Sequence, residues 1–262
     1  MPNHITNIIT INGVSEERTA QILAAVKSDE DDIQRNSIDF NKLIPMPKEL
    51  AVEAGSRSDK ALKMYQEFLA ESKILSMMNL TNSMPEAKYT NAVSELVKKY
   101  EKLSGNDPDL LEFGEQLYTN VQKYGAADWY SWSIRNWGSK WNSYGYNTPA
   151  FHNADNEIEF FTAWSKVEPI MERLSQMFPD AEFFYQWADE DIGVNVGQQT
   201  WQNGEIIDEY IPAHQSAQAY ELAADIMTVS LEDLGYQYSE EDETYHYVDM
   251  DESEAPGMGG LT

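Results

Sequence analysis

Alternation of apolar and polar positions opens the chain. Ile5, Ile9 and Ile11 fall on one side and Thr6 and Thr10 on the other before Asn12-Gly13 interrupts, which predicts a first strand. Ser15 then stands at an N-cap position, Glu16 and Glu17 follow in a first turn that favours negative charge, and Ile22, Leu23 and Val26 form a helical stripe. Residues 29–32 read as an acidic loop, and Ile38 to Ile44 as a second extended run stopped by Pro45-Met46-Pro47. From about Ser58 to Tyr124 the period becomes 3.6, in three helical stretches. The second carries Val93, Leu96, Val97, Tyr100 and Leu103 on one stripe. The third takes Asp107 as cap and Pro108 at its first position, then shows Leu110, Phe113, Leu117, Val121 and Tyr124.

Beyond Gly125 the pattern turns aromatic: Trp129, Trp132, Trp137 and Trp141 fall close together, the first three on one broad helical face that Gly138 terminates. The chain then reads as extended through Asn147, and Glu157 to Trp164 alternates again. Ser165 and Glu168 have capping-box spacing ahead of a helix with Ile170, Leu174 and Met177, stopped by Pro179. Glu182 to Ala188 predicts another strand, with Phe183, Tyr185 and Trp187 on one face. Asn203-Gly204 between two alternating runs predicts a type I′ hairpin that sets Trp201 opposite Ile206. A helix is expected from about Ala213 to Leu234, with Leu222, Ala223, Ile226 and Met227 inward and Gly235 ending it.

Strands and helices interleave with hairpins between them. That order predicts an α+β fold: a ferredoxin-like antiparallel sheet covered by helices on one face, with an all-helical insertion at about 58–124 and an acidic C-terminal region. On this reading 1–235 is a single domain and 236–262 an acidic, flexible tail.

Charge changes the picture. Forty-five acids against 18 bases leave −27 over 262 residues, which repels phosphate backbones, so direct nucleic-acid binding through a basic surface is not expected. The acidity is not uniform: residues 1–173 hold every Lys and Arg and a net of −7, whereas 174–262 hold 20 acids and no base, the last being Arg173. B-DNA carries one charge per roughly 1.7 Å of axis, so such a set matches about ten base pairs. A nucleic-acid mimic and a solvated, solubilising surface both fit this distribution. The absence of cysteine removes disulfides, thiolate nucleophiles and sulfur-ligated metals. Neither a leader-like N-terminus nor an apolar segment near eighteen residues is present, which predicts a soluble cytoplasmic protein with no membrane partner.

Met1-Pro2-Asn3-His4-Ile5-Thr6-Asn7, Ile38 to Pro47, Trp129-Tyr130-Ser131-Trp132, Asn136 to Asn142, Phe161 to Ser165 and Ala188 to Gly193 together resemble the uncharacterised phage- and plasmid-borne proteins with a YubB-type ferredoxin-like domain. The likeness spans most of residues 1–210, and the acidic region beyond about Ile211 lies outside it. It implies a ferredoxin-like core and a mobile-element origin, and it supplies no catalytic residue.

Two sets of side chains are candidates. An acidic partner-binding surface would comprise Asp189, Glu190, Asp191, Glu205, Asp208, Glu209, Glu232, Asp233, Glu240, Glu241, Asp242 and Glu243. Its expected partner is a host nucleic-acid-binding protein of a defence system (CRISPR or restriction type) or of DNA processing, and the protein itself would not be an enzyme. The alternative is an enzyme or small-ligand site, for a nucleotide or metal, between the tryptophan helix and the sheet, using Trp129, Trp132, Trp137, Lys140 and Trp141. Against it, a helix laid on a sheet at these spacings buries its aromatics, and the Lys140 stem can lie over an indole. Asp189 to Asp191 before Gly193 suit a hard cation, but the spacing fails the twelve-residue calcium loop, and these acids serve equally to cap a turn. His4, His152, His214 and His246 are scattered without metal-ligand spacing, and no phosphate-binding glycine loop occurs. No metal, cofactor or catalytic residue is expected.

Overall fold

The structure, a computed structural model, describes residues 3–29, 37–81, 83–145 and 154–248. In chain order the elements are β1 (His4–Asn12), α1 (Glu16–Val26), α2 (Phe40–Leu43), a 3-10 turn (Lys48–Leu50), α3 (Ser56–Leu80), α4 (Glu86–Ser104), α5 (Leu110–Tyr124) and α6 (Trp129–Trp137). There follow β2 (Glu157–Ala163), α7 (Glu168–Met177), β3 (Glu182–Asp189), β4 (Gly197–Gln202), β5 (Glu205–Tyr210), α8 (Ala217–Met227), β6 (Tyr236–Ser239) and β7 (Thr244–Tyr247). The chain divides into two compact units, residues 1–45 with 136–262, and residues 46–135. The helical stretch expected at about 58–124 falls inside the second.

The first unit is an antiparallel five-stranded sheet in the order β2-β1-β3-β4-β5. Since β1 runs antiparallel to both neighbours, β2 and β3 are parallel to each other, and α7 is the crossover of a split β-α-β unit. Ile5, Asn7, Ile9 and Ile11 of β1 face α7 together with Ile158, Phe160 and Thr162 of β2 and Phe183, Tyr185 and Trp187 of β3, all buried. The other face receives α8, whose Ala219, Tyr220, Ala223 and Ile226 pack with Ala188, Ile192, Val196 and Ile8. Helices therefore cover both faces, not the one expected, because the tyrosine and alanines of α8 present a second apolar stripe.

Asn7 is fully buried in the middle of the apolar face, and every polar group on it is used. Its Nδ2 donates to Ile5 O (2.8 Å) and to Thr162 Oγ1 (2.9 Å), and its Oδ1 accepts from the Tyr185 hydroxyl (2.7 Å). Tyr185 in turn accepts from Val167 N (3.0 Å), and Thr162 donates to Ser165 O (2.8 Å). Burial pushes the Tyr185 phenol far above its ordinary range, so it acts only as a neutral hydroxyl.

Several sequence expectations are corrected locally. Ile38 to Ile44 is not extended: Asp39 accepts from Asn41 N (2.9 Å) and caps the turn α2, which turns Phe40 and Leu43 inward at i, i+3 spacing. Ser165 does not cap α7; its carbonyl is taken by Thr162, and the helix starts at Glu168 after Val167. Asp107 does not cap α5 but grips Arg57 (2.7 and 3.1 Å), so the helix begins at Leu110. α8 stops at Met227, where Thr228 takes a left-handed conformation (φ 54°) and closes the end. The hairpin was expected as found: Asn203 and Gly204 both have positive φ, and Trp201 pairs with Ile206. Tyr236 to Tyr247, expected within a loose tail, forms the hairpin β6–β7. Residues 30–32 of the acidic loop, the extended stretch beyond Gly145, His152 and the tail from Asp249 lie outside the described residues.

The second unit is helical. Ala61, Met64, Leu96, Tyr100, Leu110 and Leu117 form its core, and the Phe68 and Tyr100 rings meet edge to face at 5.5 Å. Helices α3 and α5 cross at Gly114, where an added Cβ would lie 2.7 Å from Tyr65 Cβ and press into the Ala61 carbonyl. No helix among the described residues is long and apolar enough to cross a membrane.

Two measurements check these contacts. Tyr185→Phe leaves Asn7 Oδ1 and Val167 N without their buried partner and is expected to cost about 1–3 kcal/mol in urea unfolding, whereas an unchanged midpoint would mean the network is dispensable. Glycine to alanine inside a helix normally stabilises by about 1 kcal/mol. Gly114→Ala is instead expected to lower the melting temperature followed by circular dichroism, since overpacking costs roughly 1–3 kcal/mol.

Candidate acidic interface

Acid is concentrated on one unit. Residues 46–135 carry 13 acids and 11 bases, a net of −2, so −25 of the −27 belongs to the sheet-containing unit. Among the described residues, the acids from Glu182 to Glu243 show one ion pair, Asp242 Oδ2 with His246 Nε2 at 2.9 Å. The exposed ones among the remainder project their field into solvent.

Three elements hold these acids. The edge strand β5 carries Glu205, Asp208 and Glu209, and all six of its residues are exposed. Glu209 accepts from Gln199 Nε2 (2.6 Å). Gln199 also donates to Glu168 (3.2 Å) and accepts from Trp201 Nε1 (3.0 Å). Glu232 and Asp233 sit exposed in the turn after α8, where Asp233 N meets Ser230 Oγ (3.3 Å). Glu240, Glu241, Asp242 and Glu243 form the tip of β6–β7. That tip is held by a tyrosine ladder. Tyr220 of α8 packs against Tyr236 (5.3 Å) and Tyr245 (5.8 Å), and Tyr238 against Tyr245 (5.3 Å). Thr244 Oγ1 also donates to Gln215 O (2.7 Å). Gly193 lets the Tyr220 ring approach, since a Cβ there would lie 2.7 Å from it. The ladder was missed in the sequence, yet Tyr236, Tyr238, Tyr245 and Tyr247 alternate symmetrically about the four acids, a legible hairpin signal.

Asp189 is placed differently from its expected surface role. It is 5% exposed and knits the start of β1 to the end of β3, accepting from Asn3 Nδ2 (3.0 Å), Asp191 N (3.0 Å) and Asn195 Nδ2 (3.4 Å). Glu190 accepts from His4 N (3.0 Å) but stays exposed, as does Asp191. Beside them His4 Nδ1 lies 2.6 Å from the Tyr144 hydroxyl, whose pKa is pushed up to about 12 by burial and by the Glu190 charge.

The candidate tryptophans are divided between the two units. Trp137 belongs to the core of the sheet-containing unit, with Nε1 donating to Ile44 O (2.9 Å) and its ring edge-on to Phe40 (5.9 Å). Trp129, half-buried, and Trp132, buried, belong to the helical unit. Lys140 Nζ lies between two indoles, 4.8 Å from Trp141 and 4.9 Å from Trp164. Sequence reading also missed Lys166, whose ammonium sits over Trp187 (4.4 Å) and pairs with Glu168 (2.6 Å). Burial acts to raise the Glu168 carboxyl, but hydrogen bonds from Lys166 and Gln199 outweigh it and hold the pKa below the ordinary carboxylate value. Among the described residues no three His, Asp or Glu side chains converge as a metal site.

An α+β unit with an antiparallel sheet and helices on both faces is the class this geometry defines. Residues 140–250 match the family model of the ferredoxin-like domain in Api92-like protein, a stretch that runs from the end of α6 past β7. It includes the acidic region beyond Ile211, which the resemblance read from sequence left out. Among solved structures, the protein api92 from Yersinia pseudotuberculosis is 13% identical, over 81% of this chain and 99% of that one. The TM-score is 0.33. No curated protein matches.

Because the folded pKa of Glu168 is depressed, its contribution to stability is present above the unfolded carboxyl value and is lost as pH falls through the folded one. Glu168→Gln is therefore expected to destabilise at pH 7 and about 0.15 M salt, where remote acids are screened, with the gap to the parent closing in denaturant titrations as the pH falls below the ordinary carboxylate range. A pH-independent gap would place the effect in packing.

Proposed function

We propose that this is a non-enzymatic protein of a phage or other mobile element, with a YubB-type ferredoxin-like unit, acting in the host cytoplasm by presenting an acidic surface to a basic partner. The partner class is a nucleic-acid-binding protein of a defence system, CRISPR or restriction type, or of DNA processing, whose basic cleft the acids occupy as a nucleic-acid mimic. The observation that carries the reading is that acids on β5, on the turn after α8 and at the β6–β7 tip are held by ordered structure without countercharge, apart from Asp242 beside His246. A merely solubilising surface needs neither the tyrosine ladder nor an ordered tip.

Magnitudes narrow the mimicry. Six strand residues span about 20 Å, over which B-DNA presents roughly twelve charges, whereas β5 presents three acids. One strand is too dilute, so a cleft that accepts duplex DNA must draw on β5 together with the turn and the tip.

The test is capture on the immobilised full chain followed by challenge with duplex DNA. Host DNA-binding proteins are expected to be retained at about 50 mM salt, released as salt rises, and displaced by DNA. A variant with Glu205→Gln, Asp208→Asn, Glu209→Gln, Glu240→Gln, Glu241→Gln, Asp242→Asn and Glu243→Gln should lose that retention. Capture that survives all seven changes overturns the proposal.

A further inference from the structure

The two edges of the five-stranded sheet are finished differently. At the β2 edge, Tyr144 makes an antiparallel bridge to Phe161, with Tyr144 N donating to Phe161 O (3.1 Å) and Phe161 N to Tyr144 O (2.7 Å). At the other edge β5 pairs only with β4 among the described residues, and all six of its residues are exposed. In an antiparallel ladder about half of an edge strand's N–H and C=O groups point away from its neighbour, and they seek an added strand. Apolar side chains accompany them: Ile206, Ile207, Tyr210 and Ile211 are 41%, 53%, 43% and 51% exposed.

The acids on the same strand select the occupant. Pairing β5 with a second copy of itself would bring Glu205, Asp208 and Glu209 close to their own kind, and like charges opposite one another destabilise a sheet. The bulge where Ile206 and Asp208 pair with the adjacent Trp201 and Thr200 leaves Ile207 as the extra residue and increases the local twist, a further barrier to flat self-pairing. A strand carrying Lys or Arg reverses the electrostatic sign while keeping the backbone pairing. Pro212 follows Ile211 and limits the length of the added strand.

We propose that β5 is a receptor edge that takes an extended, basic segment of a partner protein as a sixth strand, with apolar side chains on one face of that segment resting beside Ile206 and basic side chains on its other face meeting Glu205 and Asp208. This rests on the acidic-partner reading above and gives it a binding mode. Backbone hydrogen bonds supply affinity, and Glu205, Asp208 and Glu209 supply the choice of partner.

The experiment titrates the isotopically labelled full chain with a peptide of about ten residues alternating lysine and valine, and with the same peptide N-methylated at alternate amides. Expected are saturable amide shifts centred on Glu205–Tyr210, slower hydrogen exchange there, and binding of the N-methylated peptide weaker by about tenfold or more. The paired variant Glu205→Lys with Asp208→Lys should reject the lysine peptide and accept one alternating glutamate and valine. If both lysine peptides bind equally, with shifts at Glu240–Glu243 and not on β5, strand addition is overturned while the acidic-partner reading stands. If β5 shifts with protein concentration in the absence of peptide, the occupant is a second copy and the proposal is overturned. If neither peptide binds at about 50 mM salt, both readings fall.

Discussion

A single buried amide organises the sheet-containing unit. Asn7 stands where strand alternation asks for an apolar residue, and an amide there costs free energy unless every donor and acceptor on it is met. It is met by groups from β1, β2 and β3, and through Tyr185 the network reaches Val167 at the entrance of α7. Sliding β1 by one residue against either neighbour would carry Asn7 to the opposite face and strand its partners, so the network specifies register more sharply than isoleucines do. The same bonds fix the β2–α7 loop. With Thr162 bonded to Ser165 O, Trp164 N to Asn3 O and Val167 N to Tyr185, Trp164 is left in a left-handed conformation (φ 70°) and is 42% exposed.

That rigid centre makes the distribution of charge meaningful. Twenty-five of the net negative charges belong to the unit with the buried polar network, and the helical unit is nearly neutral. Repulsion among so many acids destabilises a compact state, and two features offset it here. The nine acids at the β5 edge, the turn after α8 and the hairpin tip are screened by water, and the buried Asp189 is engaged by Asn3, Asp191 N and Asn195.

Much of this was legible in the chain, and the failures share a cause. The strands β1, β2 and β3, the Asn203-Gly204 turn with its register, and the long helices follow from periodicity and turn chemistry, which are local. Errors fell where a distant partner claims a local group. Asp107 reads as a cap until Arg57, fifty residues away, takes its carboxylate. Asp189 reads as surface until Asn3 and Asn195 enclose it. Composition located the acidic region but not its support, since the pairing of Tyr220 with Tyr236 and Tyr245 joins two segments that sequence assigned to a helix and a loose tail.

The contrast between the sheet edges follows from the same economy of partners. The edge strand β2 lies beside β1, and the bridge from Tyr144 satisfies its edge at Phe161 while the Tyr144 hydroxyl meets His4 and Thr162 O. The opposite edge lies two strands from β1, beyond the reach of the Asn7 network. Among the described residues it is guarded by charge and a bulge instead of by covering chain. Guarding by charge repels a like-charged strand but leaves backbone donors and acceptors exposed. An edge protected in this way is closed to copies of itself and open to a basic strand, which makes β5 the position on the sheet where partner selection and acidity coincide.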